Sequence, residues 1–383
     1  MHLVHDRPFT HRVPDSMLSE LCAEIFAQLP RSDQRRKGEM YLRGLLSVGG
    51  RKSVRNIATH VGDRAAEQSL HHFISASTWD WNTVRAALGR HLERSVQPRA
   101  WVVHPVVIPK AGRHSVGVGP RFVPSLGQVV NSQHAVGVWA ANEERSGPVN
   151  WRLSLGDDWR DAPLPGFPQV PEPELAATDL ECAAGAAVEL QGWVGGPPRP
   201  VVLDLPQVDP AALARRFAAA GLPFVAAVPG STPVTPVGPA LVGHDGRGTS
   251  AHQLLRMVRT LRRMVTWTDP VTLTARTSLV AGIPVQLPGT RRPLVLLGEW
   301  TGKDSWPRRC WLSDLADTPW GPLLRLAKLS LRVGADFAAV STEVGMVDFE
   351  GRSFGGWHRH TTLASAAHAL TVAYRPRTLA RPA

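Results

Sequence analysis

Reactive chemistry in this chain starts from Asp204, which follows Val201-Val202-Leu203 and precedes Leu205-Pro206 and a helical run over 209–220. Three apolar β-formers ending on a carboxylate, with a helical pattern directly after, are how a βα unit presents an acid at a strand's C-terminal edge. An acid so placed is either an active-site group or an ordinary cap, and its partners decide which. Other reactive side chains are scattered. Cys22, Cys182 and Cys310 lie far apart and suggest neither a disulfide framework nor a zinc cluster. His358 and His360, two apart on a predicted helix, point about 200° away from each other and do not share a face as metal ligands. They read as structural or DNA-facing. His71 and His72 are adjacent and equally poor joint ligands. Arg51, Lys52 and Arg55 open a predicted helix, where they either touch DNA phosphates or stand solvated.

The elements that must position these residues change in character along the chain. Apolar residues Leu18, Leu21, Cys22, Ile25, Phe26 and Leu29 fall at helical spacing and end at Pro30. Helices follow over 38–46, from Arg51, over 65–75 and over 83–94, with Trp79 and Trp81 in the last turn between them. Residues 1–14 read as a loose arm. From Trp101 the period becomes that of strands: 101–103, 133–140, 151–155, 201–203 and 224–228. Helices are predicted over 175–192 and 209–220, and Pro- and Gly-rich loops over 156–172 and 230–250. A basic helix over 253–264 carries Arg256, Arg259, Arg262 and Arg263. Short strands over 265–267, 271–274, 283–287, 294–299 and 311–313 form a β-rich insertion. Helices over 320–342 and 356–374 end the chain. A helical start followed by strands and helices predicts an all-α N-terminal domain and an α/β domain.

With 383 residues the chain is long enough for two or more domains, and 43% hydrophobic with 20% charged residues reads as globular and soluble. No window approaches 18 uninterrupted apolar residues, and the N-terminus lacks a signal-peptide core, so a cytoplasmic protein without membrane contact is expected. A net charge of +11 and a pI near 10.6 point to a polyanionic partner, nucleic acid first. The bland alternative is a general bias towards Arg.

Several stretches together carry a resemblance. Met40-Tyr41-Leu42-Arg43-Gly44-Leu45-Leu46, Gln68-Ser69-Leu70-His71-His72-Phe73-Ile74-Ser75, Trp79-Asp80, Pro109-Lys110, Asn150-Trp151-Arg152-Leu153 and Val265-Thr266-Trp267 are joined by the longest, Asp348-Phe349-Glu350-Gly351-Arg352-Ser353-Phe354-Gly355-Gly356-Trp357-His358-Arg359-His360. Over roughly residues 38–374 the chain resembles insertion-sequence transposases of the DDE superfamily, in the branch often called the seven-oh-one family. The resemblance implies an RNase H-like mixed sheet flanked by helices, interrupted by a β-rich insertion before the last catalytic helix. Its expected parts are a helical domain 1–97, a first core part 98–230, a loop and insertion 231–318, and C-terminal helices 319–383. It also implies DNA cleavage and strand transfer by three carboxylates holding two Mg²⁺ ions.

Carried over residue by residue, that triad is incomplete. Where the first strand should end in paired aspartates stand His104 and Pro105. Asp204 matches the second acid. The third should follow an Arg-x-Arg-Ile run, which here is Leu331-Arg332-Val333-Gly334, so Gly334 takes its place. Glu343, nine residues on, would lie two and a half helical turns and about 13 Å away. One carboxylate cannot hold two hard cations, so no metal cofactor is expected. Two readings follow. In the first, a transposase-like protein still binds DNA through Arg51, Lys52, Arg55, Arg352, His358 and Arg359, as a homodimer or with a partner subunit. In the second, the scaffold is a recruited enzyme acting on a small anionic substrate. There His104 and Asp204 form a general-base pair, and Lys110, Arg332 and His358 supply positive charge.

Overall fold

The computed structural model describes residues 13–374 except 62–63, 113, 124–125, 157–158, 160–169, 176, 238–247, 271 and 303. Most of the expected arm and the centres of both expected loops lie outside the described residues. Five helices come first: α1 (Asp15–Ile25), α2 (Ser32–Ser47), α3 (Val54–Val61), α4 (Arg64–Ser75) and α5 (Trp81–Val96). Their apolar stripes face one another, and Gly44 lets α2 approach α3 so closely that a Cβ there would sit 2.3 Å from the Ile57 side chain. Asp80 caps α5 by accepting the Asn82 and Thr83 backbone N–H groups, which accounts locally for the Trp79-Asp80 pair.

The sheet begins with β1 (Ala100–Pro109), β2 (Val118–Val123), β3 (Gln128–Ala141) and β4 (Ser146–Ser154). After helix α6 (Asp179–Val194) come β5 (Val201–Leu203), α7 (Pro210–Ala220) and β6 (Phe224–Val228). β1, β5 and β6 run parallel and adjacent, with Val103 beside Leu203 and Leu203 beside Ala226. β3 lies antiparallel on the other side of β1, and its two halves pair with β2 and β4. The long crossovers through α6 and α7 are what parallel neighbours require. Each is set locally, α6 by the Thr178–Glu181 capping box and α7 by Asp209 before Pro210.

The remaining strands, β7 (Pro233–Pro236), β8 (Thr249–Ser250), β9 (Arg263–Thr268), β10 (Ala275–Gln286), β11 (Leu294–Trp300) and β12 (Arg309–Ser313), widen this sheet. β12 pairs antiparallel with β6, and the order continues β12–β11–β10, with β9 and β7 both on β10. Three expectations change here. The basic helix stops early, as α8 (Ala251–Met257) and a short 3₁₀ turn, because Val265, Thr266 and Trp267 draw Arg263 onward into pairing with β10. Of the strand expected over 271–274, residue 271 lies outside the described residues and 272–274 belong to the β9–β10 turn, where Leu273 has φ 55°. The first strand runs on to Pro109, beyond 101–103, because β3 keeps pairing with it after β5 ends.

Two helices complete the chain: α9 (Trp320–Asp336), extended by a π turn over Phe337–Ser341, and α10 (Phe354–Tyr374). α10 is buried on every side from Gly356 to Val372, packed among α2, α4, α5 and β4. Its polar residues are therefore interior and must be satisfied there. His360 donates from Nε2 to the Gly345 carbonyl and accepts the Tyr41 hydroxyl at Nδ1, both at 2.8 Å. His368 bridges the Ser146 carbonyl and the Ser341 hydroxyl. Arg85, on α5, is enclosed and makes no direct ion pair with a carboxylate among the described residues. It donates to Thr362 Oγ1, Asn150 Oδ1, the Trp151 and His358 carbonyls and Thr361 Oγ1, and its Nη2 lies 3.1 Å from His358 Nδ1. Replacing Arg85 by Met strands these acceptors. The expected loss is roughly 3–5 kcal/mol of unfolding free energy, read from urea denaturation against the native chain.

Candidate functional site

The C-terminal edge of the parallel strands is where an open α/β sheet presents side chains to a ligand. On β1 and β5 the register Val103–Leu203 brings the next residues, His104 and Asp204, to neighbouring positions on that edge. They do not form a pair. Asp204 turns to Arg309 at the start of β12, 3.5 Å away, with both side chains more than two-fifths exposed. In that setting water screens the ion pair and leaves it little weight in stability. The His104 ring packs inward, 5.1 Å from the Phe337 ring and 6.0 Å from that of Trp139. Burial among these rings pulls its pKa down to about 4, so the imidazole is neutral at pH 7. A general-base dyad of His104 with Asp204 is therefore absent from this arrangement.

α9 crosses the same region. Phe337, which covers His104, lies one turn beyond Gly334, so Gly334 belongs to the part of α9 that faces this edge. A Cβ at Gly334 would meet nothing within 4 Å. The space a side chain would use is open. Glu343 is not on this helix at all, because α9 gives way to the π turn and then to a reversal. The acid the spacing argument passed over is Asp336. It is buried and accepts from the Ser146 backbone N–H at 3.0 Å and Ser146 Oγ at 2.8 Å, with Arg332 at 2.5 Å. Burial pushes its pKa up, against the pull of Arg332 and Ser146. Its oxygens are spent inside, tying α9 to β4.

The cations expected to assist are likewise engaged elsewhere. Arg332 donates to the Pro270 carbonyl as well as to Asp336. Lys110 donates to the Phe349 carbonyl at 2.6 Å, fastening the end of β1 to the segment before α10. His358 is fully enclosed, stacked on Trp81 at 4.9 Å. Of the expected DNA contacts, three are interior. His358 is one, and Arg359 donates to the Trp79 and Ile74 carbonyls beneath the Trp79 and Trp81 rings. Lys52 is 3% exposed and donates to the Val48 carbonyl. The Trp-His-Arg-His signature is a packing motif, and only its residue types, without their burial, suggested phosphate. Arg51, Arg55 and Arg352 remain at the surface, with Arg51 2.8 Å from Glu350.

Among the described residues, no group of three or more His, Cys, Asp or Glu gathers as metal ligands. At the edge itself the donors are one exposed carboxylate already facing a guanidinium and one imidazole turned into an aromatic cluster. A pair of Mg²⁺ ions needs converging oxygens, and this donor set does not fit them. None of the helices described is long and apolar enough to cross a membrane.

A mixed sheet that contains parallel β1, β5 and β6 and packs against helices is consistent with the architecture of RNase H-like nucleases. The DDE superfamily endonuclease family matches residues 24–282, two-thirds of the chain, and the protein belongs to that family. The match ends in β10, before α9. No curated protein matches the chain.

The state of His104 has a measurable consequence. A folded pKa near 4 against an ordinary value near 6.5 means that the unfolded chain binds the proton first. His104 thus contributes stability that is present above pH 6.5 and is lost as pH falls towards 4. A His104→Gln variant should show a shallower loss of unfolding free energy across that window, by up to about 1.4 kcal/mol per pH unit. Parallel urea titrations at pH 7, 5.5 and 4.5 read the difference.

Proposed function

We propose that this is a DDE transposase-like DNA-binding protein, of the seven-oh-one branch, whose own side chains no longer assemble a two-metal centre. The reading is supported above all by the residue set at the sheet edge. His104, Asp204 and Gly334 occupy the positions where the resemblance expects three carboxylates, and only Asp204 is one. His104 is further drawn into the Trp139–Phe337 cluster, and Asp204 faces the Arg309 guanidinium. Phosphoryl transfer by two metals needs both ions held by converging acids, so cleavage by this chain is not expected. DNA binding is supported by the family and by the net charge of +11. Of the contacts expected from the sequence, Arg51, Arg55 and Arg352 are exposed, and Arg51 is paired with Glu350.

Restoring the acids tests the reading. The native chain is expected to show no saturable Mn²⁺ binding by calorimetry and no Mg²⁺-dependent nicking of supercoiled DNA. The double variant His104→Asp with Gly334→Glu should gain Mn²⁺ binding, since Gly334 has room for the longer side chain and an aspartate would stand beside Asp204. Metal-dependent nicking by the native protein would sink the proposal.

A further inference from the structure

The cations of the widened sheet lie along the same edge as Asp204. Cys310 of β12 pairs with Val228 at the C-terminal end of β6, so Arg309 and the preceding Arg308 stand at that end. Glu299 pairs with Arg309 across β11, and Val280 of β10 pairs with both Glu299 and Arg263. Arg263 therefore starts β9 at the same edge. The 3₁₀ turn with Arg259 leads into it, and α8 ends close by, with Arg256 over the exposed Trp306 ring at 5.0 Å. From Asp204 to Arg263 the edge crosses five strand spacings, about 24 Å. That matches roughly seven base pairs of duplex at 3.4 Å each.

Charge along this line is one-sided. Arg256, Arg259 and Arg308 are exposed and have no acidic partner among the described residues. The acids beside them are Asp304, which is exposed, and Asp204, which faces Arg309, while Glu299 is buried against Lys328 at 2.7 Å. Arg262 is held by the Asp304 carbonyl and the Trp300 ring, which leaves its charge in place. A row of guanidinium groups at fixed spacing on a rigid sheet edge suits a phosphate backbone, which carries its charges at regular intervals.

We propose that this edge, from Arg309 through Arg308 and Arg256 to Arg259 and Arg263, is a track for the backbone of duplex DNA that leads to the candidate site. The inference rests on the DNA-binding reading above and locates its surface on the widened sheet, not on the N-terminal helices. Contacts of this kind read phosphates without base preference.

Fluorescence anisotropy with a labelled 30-base-pair duplex of mixed sequence, over about 50–200 mM KCl, tests it. The triple variant Arg256→Gln, Arg259→Gln, Arg308→Gln alters exposed side chains and should keep the native melting curve. It should bind at least tenfold more weakly at about 100 mM KCl, with the slope of log affinity against log salt shallower by about two to three. The comparison variant Arg51→Gln, Arg55→Gln, Arg352→Gln should lose less than about one unit of slope. If the native chain binds but the track variant loses less than one unit, the track is overturned and DNA binding stands. If the native chain fails to bind at the lowest salt, the DNA reading falls and the track with it.

Discussion

The seating of the last helix against the sheet depends on the buried guanidinium of Arg85. A charged group without a counter-ion in a protein interior is costly unless each of its donors finds an acceptor. Here the acceptors come from two separate elements: Asn150 and the Trp151 carbonyl on β4, and His358, Thr361 and Thr362 on α10. Satisfying one side chain on α5 thereby fixes where the last helix of the chain lies against the sheet. The same burial lowers the Arg85 pKa to about 9 and the His358 pKa well below its ordinary value, so the imidazole stays neutral beside the cation. The helical start and the sheet are consequently not separate layers joined by a linker, since α10 is common to both.

At the sheet edge the outcome is the reverse of what a metal centre demands. Hard cations require exposed, unpaired, converging oxygens, whereas this edge holds an aromatic cluster and a screened ion pair. His104 is turned to Phe337 and Trp139, and the π turn after α9 sets Phe337 against it. The one buried carboxylate on α9, Asp336, is saturated by Ser146 and Arg332. Packing, and not converging oxygens, occupies the ends of these strands.

What the amino-acid sequence determined by itself was local and periodic. Strand-period runs placed β3, β5, β6, β11 and β12, helical runs placed α5, α6 and α7, and the strand-end position of Asp204 was legible from Val201-Val202-Leu203 alone. These features survive because neighbouring residues decide them. Only the tertiary structure decided which polar residues face solvent. Lys52, His358 and Arg359 read as phosphate contacts because residue type carries charge but not burial, and α10 lacks an amphipathic pattern that would have revealed an exposed face. The tertiary structure also decided that His104 and Asp204 stand in register without touching, because register aligns backbones while side chains follow their own partners. It ended α8 before Arg263, where pairing with β10 outweighed helical preference, and it gathered arginines distant in sequence onto one edge. Long-range pairing is invisible to a periodic reading, and the nucleic-acid surface proposed here is made of it.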